Sequence, residues 1–312
     1  MKCIMLFSLL FSSACSIKRV AMNQVANALT GKSTSTVFTG DNDPELVGDA
    51  LPFAIKMYES LMVANPKHQG LRLQTGSLYI MYANAFLQTP ATMLPEAEYK
   101  KQEFEYKRAK NLYLRGRDII LACLESKHPG FRDSLQKRKF DIALEHMTKK
   151  DVPLLYWAGA GWLGAYAIDP FDMDIGVTMA GASALIERVL QLDPDYALGA
   201  IHEFYILYYG SLPEYMGGNL KKAREHFSKA LAVSGGKSTT PYLSLATTVA
   251  VKEQDIREFK SLLNKALEID PETTPENRLV NTLNHRKAQW LLEHTDDYFV
   301  DTENAAENAE EK

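Results

Sequence analysis

The chain carries seven histidines, and one of them stands where metal chemistry could begin. His202-Glu203 opens like the helical pair of a zinc peptidase, whose second imidazole must lie four residues on, on the same helix face. That position holds Ile206, so no zinc site forms. Gly31-Lys32-Ser33 and Gly236-Lys237-Ser238 end like phosphate-cradling loops, but the leading glycine is replaced by Ala26 and Leu231, and helical sequence leads in where a strand is needed. There is no Gly-x-Ser-x-Gly elbow to expose a serine nucleophile. The carboxylate pairs Asp172 with Asp174 and Asp193 with Asp195 fall at helix ends, where capping and the helix dipole already account for them. Cys123, within Ile-Ile-Leu-Ala-Cys-Leu, reads as a small buried apolar residue. These patterns predict no catalytic residue, no metal and no cofactor.

Aromatic side chains offer binding in place of catalysis. Phe204, Tyr205, Tyr208 and Tyr209 share one predicted helix, and with Trp157, Trp162, Tyr82 and Phe86 they could wall an amphipathic cavity. The same stripe would also serve as ordinary core.

The elements that must position these rings follow from a repeat. Small or apolar residues stand at Ala182, Ile186, Val189 and Leu190 ahead of Pro194. At the same offsets ahead of Gly235 stand Ala223, Phe227, Ala230 and Leu231. One apolar stripe, its smallest member where a neighbouring helix must approach, and a terminator describe the second helix of a tetratricopeptide-type hairpin. Pro271 (Phe259, Leu263, Ala266, Leu267) and Pro66 (Ala54, Tyr58, Leu61, Met62) repeat it, and Pro129 does so poorly. The terminators are unevenly spaced, so the expected fold is all-α, a helical superhelix of degenerate tetratricopeptide-like hairpins with inserted helices. Asp43-Pro44-Glu45 caps the first strong helix, which runs to about Ala64. A long charged helix is expected from Glu96 to Ser126, loosened near Gly116, after a proline-bounded loop displaying Met93 and Leu94. One short helix is expected over Phe131–Met147. The run from Pro153 to Ala167, dense in Gly, Ala and Trp, predicts tight helix crossing.

Residues 1–14 read as an export signal: Lys2, an apolar run from Ile4 to Phe11, then Ser13-Ala14 before Cys15. That order resembles a lipoprotein cleavage site, which makes Cys15 the acylated first residue and gives a membrane attachment through lipid. Ser12 departs from the usual leucine three places before the cysteine. The absence of Asp after Cys15 points faintly to the outer membrane. Cys3 would leave with the signal, so no internal disulfide is expected. Residues 15–43 are read as a weak helix and tether, 44–300 as one helical domain, and 301–312 as a disordered acidic tail. A net charge of -4 without a basic face excludes nucleic acid as the expected partner.

Asp-Asn-Asp-Pro-Glu-Leu-Val (41–47), Tyr-Ala-Asn-Ala-Phe (82–86), Leu-Asp-Pro-Asp-Tyr (192–196) with Gly199 and His202, Met-Gly-Gly-Asn-Leu-Lys-Lys-Ala-Arg-Glu-His-Phe (216–227) and Asn277-Arg278-Leu279 occur in order. Together they resemble the TatT-type T component of TRAP (tripartite ATP-independent periplasmic) transporters. The resemblance implies a lipid-anchored periplasmic homotrimer without catalysis. It also implies a solute-binding P component as partner and an internal channel for a small apolar or amphipathic ligand. From the residues alone, a tetratricopeptide scaffold lipoprotein with no small-molecule path stays open as the alternative.

Overall fold

The computed structural model describes residues 22–300; Cys15, the signal 1–14 and the tail 301–312 lie outside them. Among the described residues every regular element is helical and none is a strand. Among the helices of the described residues, these form the main body: α1 (Pro44–Ala64), α2 (Gln69–Tyr82), α3 (Tyr99–Lys127), α4 (Val152–Ile168), α5 (Met179–Leu192), α6 (Tyr196–Ser211), α7 (Leu220–Ser234), α8 (Thr240–Leu245), α9 (Ile256–Leu267) and α10 (Arg278–Glu293).

Their ends are written locally. Asp43 accepts a hydrogen bond from the Leu46 amide at the start of α1, with Pro44 in the first turn. Asn219 and Asp255 cap α7 and α9 in the same way. Gly235, left-handed at φ 60°, closes α7.

Four antiparallel hairpins follow in sequence, α2/α3, α4/α5, α6/α7 and α8/α9, and each pair packs along its length. The repeat stripe is what they bury: Ala182, Ile186 and Val189 on α5, Ala223 and Ala230 on α7, and Phe259, Leu263 and Ala266 on α9 lose all or nearly all contact with water. Small residues make the closest contacts, both within and between hairpins. A Cβ on Gly116 of α3 would come within 2.6 Å of the Gly76 carbonyl oxygen on α2, and one on Gly161 of α4 within 2.8 Å of Ile80. Gly164 lies equally tight on Tyr113. The Gly- and Ala-rich run is thus a close crossing of α4 over α2 and α3.

Several local expectations change. Gly116 does not loosen α3, which runs unbroken from Tyr99 to Lys127; its glycine is a contact point. Met93 and Leu94 are half-buried and do not form an exposed tip. α2 runs on through a π-turn, Ala83–Gln88, into a short helix, Thr89–Thr92. Phe131–Met147 is two short helices, Phe131–Gln136 and Phe140–Leu144, parted near Arg138 at φ 56°. Inside the stretch read as a tether, Lys32–Thr39 forms two helical turns against Pro275–Asn277 and α10.

That last contact makes the architecture cyclic. α10 packs on α8 and α9 and also reaches α1. Leu279 of α10 is buried with Leu51 and Tyr58 of α1. The Arg278 guanidinium donates to the Gly40 carbonyl at 2.9 Å, and Arg286 pairs with Glu45. The two ends of the described chain clasp each other.

Candidate ligand site

α6 meets α4 through aromatic rings. α6 enters through a left-handed turn, with Ala197, Leu198 and Gly199 at φ 49°, 57° and 92°. Such geometry costs a non-glycine residue ~1–2 kcal/mol, so surrounding contacts must hold it. One of them is Tyr196, whose ring centroid sits 5.1 Å from Tyr156 of α4, which in turn meets Trp157 edge-on at 5.5 Å. Desolvation raises the hydroxyls of Tyr156 and Tyr196, the latter to about 12.

Glu203 lies two turns along α6, close enough for its charge to act on Tyr156. Its carboxylate accepts a hydrogen bond from the Ser238 hydroxyl at 2.6 Å, and desolvation nevertheless lifts its pKa to about 7. Tyr156 and Glu203 both keep some accessible surface. Leu207, one turn beyond Glu203 on the same face, is 43% exposed.

On the other flank of α6 the rings pack into ladders. Phe204 stacks on Tyr208 at 5.9 Å and Tyr205 on Tyr209 at 5.5 Å, the i, i+4 geometry of a helix surface. Tyr205 also lies on His226 of α7 at 4.7 Å. The His202 and His226 Nδ1 atoms share a hydrogen bond of 3.0 Å between two buried rings. Desolvation lowers both imidazoles, and His226, which also feels the neighbouring His202, falls to about 4. No group of three or more His, Cys, Asp or Glu among the described residues could hold a metal ion. Asp172 caps the turn after α4, as its position suggested, and salt-bridges Lys110.

The predicted aromatic set therefore divides. Trp157 joins the ring cluster of α4 and α6 through Tyr156. Tyr205 and Tyr209 turn toward α7, Tyr205 onto His226 and Tyr209 under the Lys222 ammonium at 5.2 Å. Phe204 and Tyr208 pack half-buried against the larger core. Tyr82 and Phe86 stack at 5.8 Å about the π-turn, and Phe86 presses on Gly48 of α1. Trp162 stands apart: its indole N–H donates to Thr178 Oγ1 at 3.0 Å and Arg117 lies 4.9 Å over its ring. Tyr156, Tyr196 and Glu203 were missed. A lone carboxylate inside Ala-Ile-His-Glu-Phe-Tyr-Ile-Leu was the available signal, set aside once the zinc pattern failed.

Comparison with known proteins matches this architecture to one family. A profile described as the TRAP transporter T-component matches residues 40–299. A Treponema pallidum (strain Nichols) protein, titled only as an uncharacterized protein, is 35% identical over 314 residues, covering 96% of this chain and 97% of its own. That family is a transporter component and not an enzyme family. With nearly the whole helical ring inside the match, the chain belongs to the TRAP transporter T-component family.

Proposed function

We propose that the protein is a periplasmic T component, tied to a membrane through acylated Cys15. In this reading it assembles as a homotrimer, docks the solute-binding P component, and holds or relays a small amphipathic ligand through its interior. The observation that carries this reading is the half-buried cluster at α4 and α6, where Tyr156, Trp157, Tyr196 and Glu203 mix aromatic surface with a few polar groups, as small-molecule sites do. An exposed apolar stripe on α1, formed by Leu46, Phe53 and Met57 at 60%, 77% and 37% exposure, supports a protein-binding face as well.

Leu207→Trp tests the two halves of the proposal together, because the added ring crowds the side of α6 that carries Glu203 and lies away from the apolar stripe on α1. The variant is expected to keep its helical circular dichroism and its association with the P component by sedimentation, while native mass spectrometry loses any co-purifying small molecule. A pure scaffold would carry no such molecule in either form, and failure of the wild type to associate with the P component would overturn the docking half.

A further inference from the structure

α1 and α3 both pack on α2, and between them lies an open groove of about 780 Å³. Met62 and Val63 of α1 and Leu114 and Ile119 of α3 give it an apolar strip. Arg72 of α2, Arg115 of α3 and Arg132 of the short helix Phe131–Gln136 line the same space. Two carboxylates line it as well, and both are already neutralised. Glu59 pairs with Lys56 and Arg115, and Asp118 pairs with Arg117 at 2.8 Å. Glu125, the other acid close to Arg132, accepts the Gly130 and Arg132 amides at 2.9 and 2.8 Å.

Arg72 and Arg132 are left over. Arg72 donates from Nε to the Pro66 carbonyl and Arg132 from a terminal nitrogen to the Asp118 carbonyl, both at 2.9 Å, and neither has a carboxylate at ion-pair distance among the described residues. A carbonyl orients a guanidinium without cancelling its charge, so each fork is held in place with donors to spare. Helix pairing brings the two together. Gly76 of α2 abuts Gly116 and Ile120 of α3, and the Cys123 thiol lies 3.9 Å from the Gln69 carbonyl, which sets Arg72 alongside Ala122. Arg132 is anchored one turn earlier, at Asp118, and the small Ala122 leaves the space beside both unfilled. We propose that this groove binds a phosphate group between Arg72 and Arg132, and that the phosphate is a monoester on an apolar body lying along Met62, Val63 and Ile119. A phosphate monoester carries about two negative charges near neutral pH, matching two uncompensated guanidiniums; a carboxylate would leave one unpaired. The groove has the volume of a small-molecule site, well beyond what phosphate alone fills. It is separate from the α4/α6 cluster and does not depend on it.

Titration calorimetry with dihexanoylphosphatidate, with dihexanoylphosphatidylcholine, a zwitterion on the same chains, and with inorganic phosphate tests the assignment. The wild type is expected to prefer the phosphatidate to the choline lipid by roughly tenfold or more, and Arg72→Gln and Arg132→Gln each to lose about tenfold for the phosphatidate, the size of a charge-assisted hydrogen bond. Arg132 is exposed, so its variant keeps the helical circular dichroism even where Arg72→Gln does not. Arg257→Gln removes the same charge from the solvent face of α9 and should bind as the wild type does. Inorganic phosphate binding as tightly as the phosphatidate, and lost in both groove variants, would uphold the arginine site with free phosphate as its source and overturn the apolar body. No binding of the phosphatidate, equal binding of the two lipids, or a loss in Arg257→Gln as large as in Arg132→Gln overturns the site itself.

Discussion

The paired imidazoles of His202 and His226 tie stability to acidity. Both are depressed by burial, His226 from 6.5 to about 4, so between those values the unfolded chain binds protons that the folded protein refuses. Stability is complete above the ordinary imidazole value and is lost as pH falls through this window, by about 3 kcal/mol from His226. Lys229 and Lys222 add repulsion toward His226, and Asp195 offsets it slightly at His202. Thermal melts from pH 7 to pH 4 should therefore fall steadily in the wild type and more shallowly in His226→Gln. At this scale the sequence was only partly legible. His202 and Glu203 were visible as chemistry-bearing types, but neither His226, 24 positions away in the pairing, nor Ser238 can be assigned to them without the hairpin that brings them together.

Helix periodicity carried most of the element scale. The stripe of small and apolar residues found α1, α5, α7 and α9 with their terminators, because both the burial and the breakers are local. Glycine was the ambiguous letter. In isolation Gly116 weakens a helix by about 1 kcal/mol, which argues for a loose point; in the assembled hairpins it is where α3 meets α2 backbone to backbone, and the missing side chain is what the contact requires. Gly116→Ala should lower stability by about 1–3 kcal/mol, despite the better helix former, because Ile80 and the Gly76 carbonyl cannot retreat. Chemical denaturation with an unchanged m-value would measure it. A gain in stability would mean that the two helices can separate at little cost.

Across the whole molecule, the association of α10 with α1 was the feature least available from sequence, since it joins residues such as Glu45 and Arg286 that lie 241 positions apart. Arg278 bridges this seam through the Gly40 carbonyl and Glu272. Arg278→Met is expected to cost about 1–2 kcal/mol and to raise amide hydrogen exchange in Lys32–Thr39 and in the first turns of α10, leaving α4 to α7 protected. Uniform loss of protection would indicate that the seam is no separate unit.

Open stacks of helical hairpins need specialised first and last repeats, with polar outer faces to shield an otherwise bare apolar end. Here α1 shields α10 and α10 shields α1, so neither terminal helix has to be soluble on its exposed side. The arrangement also locks the number of hairpins, because adding or deleting one would prise the seam apart. Insertions are then expected to be tolerated in connections such as the one between α3 and α4.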